Sequence, residues 1–131
     1  MIQRKELRKL VQARIKDAEI LYANRRYTGA VYLCGYVVEL ALKARICQTL
    51  RWTGFPETRQ EMQDYRSFVT HDLDVLLHLS GTEKQIKTQH LPHWSIVAKW
   101  DPELRYQPIR QTTRQDALDM LHAVKTLARV L

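Results

Sequence analysis

Residues 27–50 read YTGAVYLCGYVVELALKARICQTL, and this stretch decides the fold. From Tyr27 to Leu42 the only charge is Glu39, while Arg25 and Arg26 precede the run and Lys43 and Arg45 follow it. No proline interrupts it, and Ala30, Leu33, Leu40, Ala41, Leu42 and Ala44 are strong helix formers. Apolar residues fall all round the helix, which marks an element covered on several sides. A membrane span needs about 20 apolar residues, so a run this short, with Glu39 inside it, predicts no transmembrane segment. It predicts the central helix of a helical domain.

On the N-terminal side, residues 2–23 predict a first helix. Leu7, Leu10, Val11, Ile15, Ala18 and Tyr22 share one face, and Arg4, Lys5, Arg8, Lys9, Gln12 and Lys16 take the other. The short link to Tyr27 predicts that the two helices pair antiparallel, with Thr28 capping the second. On the C-terminal side, Thr53-Gly54-Phe55-Pro56 is a stop. Residues 57–69 read equally as a short helix or a loop. Thr70 then predicts a cap for a helix over His71–Leu79, with Leu73, Leu76 and Leu77 buried and Asp72 and Asp74 in its first turn, where carboxylates suit the helix dipole. A further short helix is expected over 82–91, interrupted or kinked by Pro92, with Trp94–Trp100 continuing it. Pro108 keeps the next stretch from regular helix. Thr112 or Thr113 caps a last helix to Leu131, with Ala117, Leu118, Leu121, Val124, Leu127 and Ala128 facing the core.

The 131 residues suit one domain, spanning 1–131. Apolar content of 45% with only four Gly and four Pro favours an all-α class over a turn-rich β fold. The net charge of +7 favours an anionic partner, nucleic acid first. Much of that excess is local: Arg4, Lys5, Arg8, Lys9, Arg14, Lys16, Arg25 and Arg26 stand against Glu6, Asp17 and Glu19. Cys34 and Cys47 lie 13 residues apart in one helix, roughly 20 Å, beyond the reach of a disulfide. They are expected to be buried thiols in a reducing compartment, and no signal-peptide pattern opens the chain, so a cytoplasmic location is predicted.

Glu39 and Lys43 stand at i and i+4 in the favourable order for a helix ion pair. A carboxylate inside so apolar a stretch needs a dedicated partner or a cleft. Arg66 and His71, with four residues between them, are a minimal kit for phosphodiester cleavage, since arginine holds phosphate and histidine moves protons near neutral pH. Five positions apart on a continuous helix means about 140° of rotation. The pair therefore converges only if the backbone turns between them, or across a dimer. His90 and His93 straddle Pro92 with no third ligand implied, so no metal site is expected. Trp94, Trp100 and Tyr106 suit either base stacking or core filling.

Three segments together resemble the HEPN domain (higher eukaryotes and prokaryotes nucleotide-binding domain). They are Tyr27-x-x-Ala30-x-x-Leu33-x-Gly35-Tyr36-x-Val38-Glu39-x-x-Leu42-Lys43, then His71-Asp72-Leu73-x-x-Leu76-Leu77, then Trp100-x-Pro102-Glu103-Leu104-Arg105-Tyr106. The resemblance spans nearly the whole chain and implies an up-and-down bundle of about five helices that forms a homodimer. It implies a metal-independent endoribonuclease without cofactor, of toxin–antitoxin type, partnered by a nucleotidyltransferase-type antitoxin. It equally admits a non-catalytic module that binds RNA or nucleotide. Arg66 and His71 match the family's Arg-x4-6-His signature, which implies catalytic roles for both. Glu39, Lys43, Arg105 and Tyr106 are implied around the phosphate. One departure is Ser67, where active members usually carry Asn, Asp or His after the arginine; Arg105 is then a rival to Arg66 for the phosphate.

Overall fold

A computed structural model of the chain describes residues 1–106 and 111–131, with Leu104 and Arg105 described by their backbone alone. In chain order the elements are β1 (Ile2–Gln3), α1 (Arg4–Ala23), α2 (Tyr27–Leu50), β2 (Gly54–Phe55), α3 (Arg59–Met62), a 3-10 turn (Arg66–Phe68), α4 (Leu73–Ser80), α5 (Glu83–Gln89), α6 (Leu91–Val97), a second 3-10 turn (Pro102–Tyr106) and α7 (Arg114–Val130). The chain is mostly helical, as its composition and periodicity predict.

Helix α1 buries Leu7, Val11, Ile15 and Ala18, one stripe at helical spacing; Leu10 and Tyr22, expected on the same face, are half-buried at its edges. Helix α2 buries residues all round, from Ala30 and Cys34 through Val37, Val38, Ala41 and Leu42 to Ile46 and Cys47. The two helices are antiparallel. At one end only Asn24–Arg26 joins them; at the other, Arg4 N–H donates to the Thr53 carbonyl at 3.0 Å and β1 pairs with β2. Helix α7 runs antiparallel to α1: Arg114 reaches the Tyr22 hydroxyl at 3.2 Å near one end, and Arg8 donates to the Leu131 carbonyl at 2.8 Å near the other. It buries Ala117, Met120, Leu121, Ala123, Val124 and Leu127, while Leu118 and Ala128 are half-buried.

Helix α4 is pinned along α2. His71 meets Glu39 just before its start, and the Thr49 hydroxyl donates to the Ser80 carbonyl at 2.6 Å at its end. It therefore runs in the same sense as α2, where a strict up-and-down order would reverse it, because residues 51–72 carry the chain back. Leu73, Leu76 and Leu77 are buried, as their spacing predicts.

Several boundaries differ from the sequence expectations. Arg25 turns the chain with φ of 61°, so α2 begins at once at Tyr27 behind Arg26, and Thr28 lies inside it. Asp72 caps α4, accepting from the backbone of Asp74 at 3.0 Å and Val75 at 3.2 Å; Thr70 accepts from Asp72 N–H one step earlier. His71 therefore stands ahead of the helix and outside its ladder. Residues 57–69 hold both a one-turn helix, with a Thr58–Glu61 capping box, and the 3-10 turn. Pro92 sits in the first turn of α6, where its missing N–H costs nothing, and opens that helix rather than kinking the previous one. These two effects raise the helix number to seven among the described residues, above the five or so expected. Thr113, not Thr112, caps α7. The break expected at Pro108 lies outside the described residues. Among the described residues no helix is long and apolar enough to cross a membrane.

A candidate active site at the Glu39–His71 pair

Gly35 and Trp100 set the floor of the site. The Trp100 indole lies flat on the backbone of α2, where a Cβ on Gly35 would stand 2.0 Å from its ring carbons. Its Nε1–H donates to the Tyr32 carbonyl at 3.1 Å. Tyr36 packs edge-on to this indole, with ring centroids 4.9 Å apart, and edge-on to His71 at 6.4 Å. The rings of Tyr32 and Tyr36 meet edge-on one helical turn apart, with hydroxyls 3.4 Å from each other. Tyr32 and Tyr36, at i and i+4 of α2, thus form an aromatic wall with Trp100 beside Glu39.

Glu39 is only 4% exposed, in the most apolar stretch of the chain. Burial of a lone carboxylate there would be expensive. It has two partners: His71 Nδ1 on Oε1, and Lys43 Nζ 3.6 Å from Oε2. Lys43 in turn lies over the Phe55 ring, 5.2 Å from its centroid, which fixes the ammonium from the other side. An ionised carboxylate only accepts hydrogen bonds, so Nδ1 of His71 carries the proton. Nε2 is left to accept from a ligand. The His71 side chain is 60% exposed, so it is held at one end and open at the other.

His71 borders a cleft of about 360 Å³, with Asp72, Asp74, Lys99, Trp100 and Asp101 also on its walls. Its carboxylates already serve the fold: Asp72 caps α4, Asp74 accepts from the Trp94 indole at 3.0 Å, and Asp101 accepts from Glu103 N–H at 2.8 Å. Among the described residues Lys99 is the cation on this wall. No family model, characterised protein or solved structure matches the chain. Geometry and chemistry alone carry the reading of the site.

The other sequence candidates are placed as follows. Arg66 is exposed in the first 3-10 turn and lines a separate depression with Arg59, Met62 and Val69. The backbone does turn between Arg66 and His71, through the 3-10 turn and the extended Asp72, and the two residues line different depressions. The backbone of Arg105 lies in the second 3-10 turn, and its side chain lies outside the described residues. Tyr106, in the same turn, is 71% exposed. His90 and His93 sit with ring centroids 6.4 Å apart, and His78 is 3.6 Å from Glu83 on the surface.

Sequence reasoning pairs Glu39 with Lys43 and treats His71 separately. The direct Glu39–His71 contact joins residues 32 apart, beyond any helical spacing. One signal points to it: a carboxylate in an apolar run demands a cationic or donor partner, and His71 opens the next segment to pack on α2. Lys99 carries no signal of its own, since it is one lysine among many until Trp100 docks on Gly35.

Proposed function

We propose that this chain is a HEPN-like RNA-cleaving domain, in which His71, oriented by Glu39, does the proton chemistry of a metal-independent endoribonuclease. The observation that supports this reading is the single-ended hold on His71: a buried carboxylate fixes Nδ1–H, and the rest of the ring faces an open cleft. That arrangement gives a base with one defined tautomer. In the proposed reaction Nε2 takes the proton of an RNA 2′-hydroxyl, and the 2′-oxygen bonds to the adjacent phosphorus. The bond from phosphorus to the 5′-oxygen breaks, and that oxygen gains a proton from the imidazolium. The products are a 2′,3′-cyclic phosphate and a 5′-hydroxyl end. Lys99 supplies positive charge for the phosphate from within one chain, while Arg66 and Arg105 supply it if a second copy completes the cleft. Homodimerisation and pairing with a nucleotidyltransferase-type antitoxin belong to the same proposal.

A second reading has its own support. Asp72, Asp74 and Asp101 stand beside His71 in the same cleft, a poor setting for a phosphodiester, and Arg66 lines another depression. This favours a module that binds nucleotide or RNA through base and ribose hydroxyls without cutting it. The nature of the nucleophile separates the two. An RNA oligonucleotide should be cut to cyclic-phosphate ends, and its 2′-deoxy counterpart should bind and stay intact. Binding of both with cleavage of neither would move the assignment to the binding module.

A further inference from the structure

Residues 57–69, polar in sequence, fold into an arm that two devices hold against the bundle. The Thr58–Glu61 capping box starts α3. An aromatic cluster fastens the far end. Phe68 packs on Trp52 with ring centroids 5.3 Å apart and on the buried Phe55 at 6.3 Å, and Tyr65 meets Trp52 edge-on at 5.0 Å. Tyr65 nonetheless stays 41% exposed, and Arg59 and Arg66 are exposed at the two ends of the arm.

Two hollows flank α3 and share Gln60 on their walls. One, of about 570 Å³, has Arg59, Arg66, Gln60 and Gln63 over the apolar Met62 and Val69, with no carboxylate among its described lining residues. Neither arginine is paired with an Asp or Glu among the described residues. The other, of about 530 Å³, has the Trp52 and Tyr65 rings with Arg51 and Asp64. Glu61, also on its wall, is spent on the backbone of Glu57 and Thr58. Single-stranded nucleic acid is held by cations along its backbone and by aromatic rings under its bases, and these hollows supply one of each side by side. The His71 cleft carries three carboxylates, so the charge of a strand is better held outside it.

We propose that the 57–69 arm is a docking site for single-stranded RNA, on which Arg59 and Arg66 hold backbone phosphates while Trp52 and Tyr65 stack a base of the same strand. Gln60 and Gln63 donate to phosphate or ribose oxygens, and Asp64 accepts from a base amino group. Arg66 precedes His71 by five residues, at most about 18 Å of extended chain. At about 3.4 Å per stacked nucleotide, RNA docked on the arm reaches the His71 cleft within about five nucleotides. The inference rests on RNA as the ligand of this chain. It uses no residue of the His71 cleft, so it stands whether or not His71 cuts.

The test is binding of a labelled single-stranded RNA 12-mer to the full chain across a salt series, in a His71→Ala background so that the RNA stays intact. Arg59→Gln should lower affinity several-fold and make the salt slope shallower by about 0.7. Tyr65→Ala should lower affinity about five- to a hundredfold and leave the slope unchanged. Lys84→Gln removes the same charge from an exposed position on α5 that lines neither hollow, and should stay within about twofold. Equal losses in Arg59→Gln and Lys84→Gln would overturn the site, since diffuse charge would then account for binding. Unchanged affinity in Tyr65→Ala, or no RNA binding in the His71→Ala background, would overturn it too. If Tyr65→Ala lowers the melting temperature, Tyr65→Leu keeps apolar packing on Trp52 without an aromatic face and gives the same readout. Failure of the nuclease reading looks different: RNA uncut by the natural chain, with binding still dependent on Arg59 and Tyr65, leaves the docking site in place.

Discussion

His71 Nδ1 donates to Oε1 of Glu39, a residue 32 positions earlier and almost wholly buried in α2. Glu39 is a positioning residue in this account: it holds the imidazole and leaves the other ring nitrogen for substrate. Glu39→Gln keeps an acceptor for Nδ1–H but removes the charge that favours the developing imidazolium. RNA cleavage should fall by about 10²-fold or more, while RNA affinity and helix content hold. Glu39→Ala should in addition cost about 1–3 kcal/mol, because Lys43 and His71 both lose their partner. Cleavage unchanged in Glu39→Gln would remove Glu39 from the mechanism.

Gly35 is required by Trp100. An alanine there gains about 1 kcal/mol in helix propensity, but its Cβ would lie 2.0 Å from the indole, and overpacking of this kind costs about 1–3 kcal/mol or more. Gly35→Ala should therefore lower stability in urea unfolding and loosen the wall beside His71. Trp100→Ala should cost about 3–5 kcal/mol by opening a cavity. The double variant should be more stable than the sum of the two losses, since the clash is absent once the indole is gone. Simple additivity would contradict the contact.

The cap on α7 makes a pH prediction. Thr113 and Asp116 form a reciprocal capping box, and hydrogen bonds from the Thr113 backbone and hydroxyl hold the Asp116 carboxyl below its usual value. A carboxyl depressed in the folded state adds stability above its ordinary range and loses it as pH falls through the folded value. Thr113→Ala should cost about 1 kcal/mol near neutral pH. The gap to the natural chain should narrow as pH drops below the usual aspartate range. A gap that is constant down to strong acid would contradict the box.

Cys34 and Cys47 should resist thiol reagents in the native chain. Both are buried, and burial pushes the Cys34 thiol up to about 12 and raises that of Cys47. Labelling with a disulfide-exchange reagent at neutral pH should be slow, and two thiols should react at once in denaturant. Rapid native labelling would place one of them at the surface.

The helical class, the central position of α2 and the buried faces of α1, α4 and α7 were legible in the sequence, because helical periodicity and apolar surround are local signals. Residue type alone did not settle the caps: Thr28 lies inside α2, and of Thr112 and Thr113 it is Thr113 that caps α7. Thr70 and Asp72 compete for α4, and Asp72 wins because its carboxylate reaches two backbone donors, whereas Thr70 is spent on Asp72 itself. The direction of α4 was not legible, since it depends on how residues 51–72 cross back. Glu39 and His71 could each be named from residue type, but their contact could not. It requires α4 to lie along α2 with Thr49 at Ser80, a register that no spacing within either segment encodes.

The most direct test of the account is cleavage of total RNA by the purified chain in EDTA, beside His71→Ala. Metal-independent cleavage by the natural chain and none by the variant is the expected result, with the variant's circular dichroism and RNA retention unchanged. Equal cleavage by both proteins, or none by either while RNA is still bound, would contradict a nuclease centred on His71.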